Sequence, residues 1–437
     1  MPSGSAHAFQ VLVEHYGVSE PLAQRVGEVY RRTSRPTAGL DSVAATNQAR
    51  VLAAFHRLRI HESDLRDSTG YGYGDRGRAL VDALYAEAFQ AEKALVRQQI
   101  VSGTHAIALG LFGCLRPGDG LMSATGTPYD TLLPVISGAP GSLAEFGVAY
   151  REVPLRRGRP DQAAIIRALR PSTKVVLIQR SRGYAWRESL SVAEIGRLVE
   201  VIKAHQARTI CLVDNCYGEF AEDREPTAVG ADLLAGSLIK NPGGGLVTTG
   251  GYLAGRADLV DLAAARLTAP GIGAKVGSTT GFCRLAAQGL FLAPGVVARS
   301  LVGMRLAAAF FKDLGFAVDP TPDGPRTDII QAIKLGSEAG LVAFCRGLQK
   351  ASPVDADVLP EPAETPGYGD RVVMAGGTFV QGSSIELSAD GPLRPPFAVY
   401  LQGGLDPEHV AMACAVAAQE LLAAGVLGGK KIRRKRI

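Results

Sequence analysis

No two cysteines of this sequence stand in a CxxC spacing. The six that occur (Cys114, Cys211, Cys216, Cys283, Cys345 and Cys414) are scattered, mostly among apolar or glycine-rich neighbours. That pattern argues against a zinc ribbon and a disulfide scaffold and fits buried, reduced thiols; no metal is expected. The N-terminus lacks a basic region followed by an apolar stretch, so no signal peptide is expected. No apolar run approaches the length of a membrane span. The most apolar late segment, Val410 to Leu427, is interrupted by Gln419 and Glu420 and reads as an amphipathic helix. A cytoplasmic protein without membrane contact is the expectation. An excess of one charge sign is also missing. The formal net charge is +5, but Lys430 to Ile437 alone carry six Lys or Arg, which leaves the rest of the chain near −1. Such a body offers no nucleic-acid-binding face, and the basic tail from about residue 428 is expected to be a solvated end.

What is present is material for a large core: 437 residues, 46% hydrophobic and 20% charged, enough for two or three domains. Residues 1–65 alternate apolar and charged positions at helical spacing, with Pro36 and Gly39 between helices, and predict a helical N-terminal arm. A glycine-rich stretch, Gly70 to Arg78, comes next, and a helix is predicted from about Ala79 to Leu95. From there short apolar segments alternate with helices. Strands are expected at Leu95–Val101, Leu121–Ala124, Val175–Gln179, Thr209–Val213, Leu233–Lys240 and Gly250–Ala254, with helices such as Gly103–Phe112 and Val192–His205 between them. Repeated strand–helix alternation predicts an α/β domain at 66–294, a mostly parallel sheet with helices on both faces. After about Ala293 the texture changes, and 295–437 reads as a smaller α+β domain opened by a helix from Val296 to Leu314.

Three pieces carry chemistry. Thr209-Ile-Cys-Leu-Val-Asp214 is an apolar strand ending in a carboxylate, at the edge where open α/β sheets build their sites; a helix cap or a metal ligand would look the same. Ser237-Leu-Ile-Lys240-Asn-Pro-Gly embeds a lysine in an apolar segment. Burial would press its proton off and leave the neutral amine that Schiff-base chemistry needs, unless the side chain reaches solvent. Ser102-Gly103-Thr104-His105 joins a strand to a helix with small residues that let backbone N–H groups approach a phosphate. Asp214 precedes Lys240 by 26 residues, the order of an enzyme in which an Asp pairs with a cofactor ring nitrogen and a Lys bonds its aldehyde.

Longer stretches go further. YGYGDRGR (71–78), ALVRQQIVSGTHAIALGLFGCLRPGD (94–119), TPYDTL (127–132), LIQRSRGYAWRESL (177–190), LVDNCYGEF (212–220), VGADLLAGSLIKNPGGG (229–245), RTDIIQAIK (326–334) and GTFVQGSSIELSADGPLRPP (377–396) resemble the aluminium-resistance, or methionine gamma-lyase-like, family, with similarity from about residue 65 to 410. The chain departs from the family at Gly74, where Asp is usual, and in its C-terminal tail.

The resemblance implies a fold type I pyridoxal-phosphate (PLP) enzyme of cysteine and methionine metabolism. Lys240 would be the Schiff-base lysine and proton shuttle, and Asp214 the partner of the pyridinium nitrogen. Gly103, Thr104, His105 and Ser237 would surround the phosphate, and Tyr129 would stack on the ring. Gln179 and Arg180 would touch the ring hydroxyl or the substrate, while Arg394 would bind the substrate carboxylate, with Arg266 and Arg371 as competitors. Tyr73 and Arg78 would reach a neighbouring subunit's phosphate, implying a homo-oligomer, a dimer of dimers, with shared sites. The implied reaction is elimination or replacement of a γ-substituent of an amino acid. The alternatives are β-elimination of the cystathionine beta-lyase type, an aminotransferase, and a PLP-fold protein kept only for binding.

Overall fold

The computed structural model describes residues 10–35 and 37–428; Pro36 and the basic tail lie outside them. The chain divides into two units, Ser42–Gly295 and the pair Met1–Asp41 with Val296–Ile437.

The Ser42–Gly295 unit is built on seven strands: β1 (Lys93–Arg97), β2 (Gly120–Ser123), β3 (Ala149–Glu152), β4 (Thr173–Gln179), β5 (Ile210–Asp214), β6 (Leu233–Ser237) and β7 (Gly251–Gly255). Their order is β1-β7-β6-β5-β4-β2-β3. The pairs from β6 to β3 are parallel, and β7 runs against both β6 and β1. All strands but β7 therefore point the same way and end at one edge, where loops are free to build a site. The continuous apolar runs have the physical reason expected of a sheet covered on both faces: β5, β6 and β7 are buried along their whole lengths. Leu95, Leu111, Val175, Leu177, Leu212, Leu233 and Leu253 share one cluster between the sheet and the helices Gly103–Cys114 and Ala257–Leu267.

Several boundaries differ from the sequence reading. β1 stops at Arg97 rather than continuing to Val101, and Lys240 stands three positions past the end of β6. The helix predicted from Ala79 starts at Arg76, because the Asp75 carboxylate accepts the Arg78 N–H and caps it. Gly39 falls inside the helix Ala38–Arg57, not between helices.

The other unit holds a five-stranded antiparallel sheet, β10-β11-β12-β9-β8, from β8 (Ala317–Asp319), β9 (Ile330–Lys334), β10 (Val372–Ala375), β11 (Ser388–Pro392) and β12 (Ala398–Gln402). Helices Glu338–Lys350 and Pro407–Ala423 pack on it around Phe344, Leu348, Cys414 and Leu401. The helix Glu20–Thr33 belongs here too: Leu22, Val26 and Val29 enter the same cluster, and Tyr30 donates to Glu408 at 2.6 Å.

One helix runs Cys283–Asp313 with Pro294 inside it. It is long and apolar enough to cross a membrane by length and composition. Its apolar residues are instead spent in protein interior, with Leu290, Ala293, Val297, Met304, Leu306 and Phe310 all fully buried. The six cysteines are free and buried.

Candidate active site

The strand ends bring Gln179 and Asp214 side by side, paired in register on β4 and β5, with Ser237 at the end of β6. The helix Gly103–Cys114 starts against them. A Cβ on Gly103 would lie 3.1 Å from the Cys216 sulfur and 3.5 Å from Ser237 Cβ, so the glycine lets the helix N-terminus come close without crowding the thiol. Ser102 caps that helix by accepting from the His105 N–H at 3.0 Å. The His105 Nδ1 accepts from the Val101 N–H at 3.2 Å, which turns the imidazole back onto its own loop. Burial lowers its pKa. The Thr104 hydroxyl meets that of Thr131 at 2.7 Å.

Asp214 is buried. Desolvation pushes its pKa up, against the pull of Lys240 and of the Cys216 N–H that donates to it at 3.2 Å. The Lys240 Nζ lies 4.0 Å from the centroid of the Tyr217 ring. Here the structure reverses an expectation. Burial presses the amine's pKa down, but the acidic groups around it, Cys216, Tyr217, Asp214 and Glu219, leave it raised above the ordinary lysine value, in the direction of an ammonium beside the Asp214 carboxylate.

Tyr129 is half-buried, its N–H donating to Gln179 Oε1 at 2.8 Å and its ring 5.4 Å from that of Tyr184. The Gln179 side chain is thereby occupied in placing Tyr129, its amide also donating to the Ser181 carbonyl at 3.2 Å.

Two arginines of the expected site have their side chains engaged within this chain. Arg180 has no solvent exposure. Its guanidinium donates to Asn215 Oδ1 and Glu222 Oε2, each at 2.8 Å, and stands 3.5 Å from the fully buried Glu225. It braces the loop after Asp214. Arg78 is 4% exposed, and its two terminal nitrogens are used up on the carbonyls of Gly70, Gly72, Lys275 and Gly277. It ties the glycine-rich loop to its own chain. The exposed groups of that loop are Tyr71 at 82%, Tyr73 at 69% and the Arg76 side chain at 60%, the last bonded to Asp64 at 2.6 Å.

Of the three arginines weighed for a carboxylate, Arg266 donates to the Phe112 carbonyl. That places it near the C-terminal end of the very helix whose N-terminus meets Ser237, far along from the strand-end cluster. Arg394 pairs with Asp370 at 2.6 Å and Arg371 with Glu338 at 3.7 Å.

Sequence reasoning missed the polar group beneath Lys240. The Glu219 carboxyl is fully buried, accepts from Tyr252 at 2.8 Å, and is pushed up to about 8 by burial. The Asn241 amide donates to the carbonyls of Tyr217 and Glu219 at 3.0 and 2.9 Å. The signal lay in LVDNCYGEF itself, whose polar residues follow an apolar strand directly.

These residues suit a phosphorylated aldehyde with a basic ring. They comprise a buried carboxylate wanting a cation, an amine held beside it, and a small-residue helix N-terminus closing on Ser237. Together with the sheet they define a site of the fold type I PLP class.

The comparisons agree. A cystathionine gamma-lyase structure from Lactobacillus plantarum shares the fold at 17% identity, with a TM-score of 0.58 over 81% of this chain and 88% of that one. The family model described as Methionine gamma-lyase matches residues 24–422, and the chain belongs to that family of PLP-dependent lyases. The Bacillus subtilis protein YnbB is 47% identical over 388 residues, 88% of this chain and 92% of that one. A Clostridium acetobutylicum structure, provisionally named a cystathionine beta-lyase involved in aluminum resistance, is 45% identical with a TM-score of 0.90, covering 94% of this chain and 98% of that one. A carbon-sulfur lyase involved in aluminum resistance from Clostridium novyi NT is 44% identical with a TM-score of 0.89 over the same shares.

Proposed function

We propose that this lyase binds PLP through Lys240 and breaks a carbon–sulfur or like bond at the γ-carbon of an amino acid. The observation that carries the reading is the convergence, at one sheet edge, of the Asp214 carboxylate, the Lys240 amine and the helix start at Gly103. In this reading Asp214 pairs with the protonated ring nitrogen, while Ser237 and the backbone of Gly103, Thr104 and His105 receive the phosphate. Tyr129, fixed by Gln179, lies against the ring, and Arg394 remains the candidate for the substrate carboxylate. PLP, when bound, withdraws electrons from the carbon that carries the amino group. Lys240 Nζ, once released, would take the proton from that carbon; for γ-chemistry it would first hand that proton on to the cofactor's aldehyde carbon, and as a free amine again take one from the β-carbon as the γ-group leaves.

The exposed Tyr71, Tyr73, Arg76 and Val101 support a homo-oligomer, a dimer of dimers in the cytoplasm, whose loops complete the neighbour's site. The test is a panel of β- and γ-substituted amino acids offered to the PLP-loaded protein, with products identified by mass spectrometry. A four-carbon 2-oxo acid from γ-substituted substrates supports the reading. Pyruvate from β-substituted substrates alone would replace it with β-elimination, and recovery of amino-exchanged products would make the chain an aminotransferase.

A further inference from the structure

The loop after Asp214 is built in a way that the reaction outlined above leaves unexplained. Tyr217 and Phe220 have φ of 73° and 60°, left-handed conformations that cost non-glycine residues energy and persist only where the surroundings enforce them. The enforcement is visible. Asn241 clamps the carbonyls of Tyr217 and Glu219, Phe220 N–H donates to Glu225 at 2.8 Å, and Arg180 braces Asn215 from behind.

The outcome of this bracing is that Tyr217 turns its face to Lys240 Nζ at 4.0 Å. That amine makes no hydrogen bond among the described residues, although an ammonium has three protons to give. Nearby, two buried acceptors stand without donors, Glu219 Oε2 and Asn241 Oδ1. Room for the Glu219 carboxyl comes from Gly236 on β6, where a Cβ would lie 2.8 Å from Glu219 Oε1 and 2.6 Å from the Tyr252 ring.

We propose that Tyr217 is a seat for the free amine of Lys240, its ring face holding the ammonium whenever that amine is not bonded to cofactor, with Glu219 behind it as the acid that strengthens the seat. The proposal rests on the reading of Lys240 as the cofactor's lysine and deepens it, naming positioning residues for the amine that moves the proton. A cation over an aromatic face in a partly desolvated site is attracted to it, and the ring keeps the amine from swinging away. The groups that face the amine are Asp214, Cys216, Tyr217 and Glu219, and those that face Glu219 are Tyr85, Cys216, Glu225, Lys240 and Tyr252. Glu219 holds its proton below about pH 8 and contributes its full charge only above that.

The test measures how fast the full-length chain, stripped of cofactor, captures pyridoxal phosphate between pH 6 and 9.5, followed by visible absorbance. Only the free amine reacts, so each unit by which the amine's pKa falls raises capture tenfold at fixed pH. Tyr217→Leu should capture about 2- to 30-fold faster than wild type at pH 7.5, the span of a cation–ring attraction, while its turnover as the loaded enzyme falls. Tyr217→Phe, which keeps the ring, should stay near wild type in both. Glu219→Gln should match wild type below pH 8 and capture faster above it. A gain in capture rate is not what a merely damaged loop would give.

Capture at the wild-type rate in Tyr217→Leu, or Phe behaving like Leu, overturns the seat. If the Leu variant does not fold, Glu219→Gln decides alone, and an unchanged pH profile overturns it. Borohydride fixation of the captured cofactor separates the two claims. A label away from Lys240 defeats the underlying reading. A label on Lys240 with unmoved rates defeats only the seat.

Discussion

Replacing Arg180 with Met tests whether that arginine braces the protein or touches substrate. The guanidinium has no exposure and is shared among Glu222 Oε2 at 2.8 Å, Glu225 Oε2 at 3.5 Å and Asn215 Oδ1 at 2.8 Å. Glu222 is partly exposed and can take water when the arginine goes. Glu225 cannot, being fully buried; it keeps the donors from Asn215 and the Phe220 N–H, with Arg50 as a more distant cation. Removing one partner of a buried ion pair costs about 3–5 kcal/mol because a charge is left uncompensated. For a unit the size of Ser42–Gly295, at about 2–4 °C per kcal/mol, that is a Tm loss of roughly 6–20 °C. The assay is thermal unfolding at matched scan rate, with and without excess PLP. Adding Glu225→Gln to Arg180→Met should restore part of the loss by removing the stranded charge. A Tm within about a degree or two of wild type, together with a raised KM for the amino acid, would refute the brace and return Arg180 to the substrate.

Other outcomes follow from the same geometry. Asp214→Ala should leave the far-UV spectrum unchanged but weaken PLP retention and nearly abolish turnover; near-normal turnover would mean that the carboxylate only shapes the strand end. Glu219 has a folded pKa of about 8 against an ordinary 4.5, so the native state binds the extra proton. Its contribution is present in full below about pH 4.5 and is lost as pH rises toward 8. Glu219→Gln should therefore gain stability over wild type, by up to a few kcal/mol, between pH 5 and 8 in urea unfolding, and a difference that does not vary with pH would contradict that pKa. For the shared site, Lys240→Ala and the double variant Tyr73→Ala/Arg76→Ala should each be nearly inactive. Mixed with subunit exchange they should recover about a quarter of wild-type activity, since about half the dimers are mixed and half of their sites are intact. No recovery would place the loop in its own subunit's site.

Much of this site was legible because its pieces are local in sequence. An apolar strand ending in Asp214, a lysine after a second apolar strand, and a small-residue turn into a helix each announce themselves within ten residues, and the sheet then brings them to one edge. The arginines were not legible in that way. Arg78 and Arg180 were expected to serve a phosphate or a substrate, because a sequence does not show that four carbonyls from distant loops converge on one and two buried carboxylates on the other. The charged surroundings of Lys240 were hidden for a related reason. An apolar sequence context argues for a neutral amine, but Cys216, Tyr217 and Glu219 come to it from the loop after a different strand. The helix expected to open the smaller domain at Val296 is instead continuous from Cys283 to Asp313, through Pro294. The helical spacing of residues 1–65 was visible, but the cluster that Leu22, Val26 and Val29 join, some 300 residues further on, was not.

The account stands most directly on one measurement. The PLP-loaded, full-length protein should absorb in the visible, borohydride should bleach that band, and peptide mapping should then find the pyridoxyl group on Lys240. A label on any other lysine, or no label at all, would contradict it.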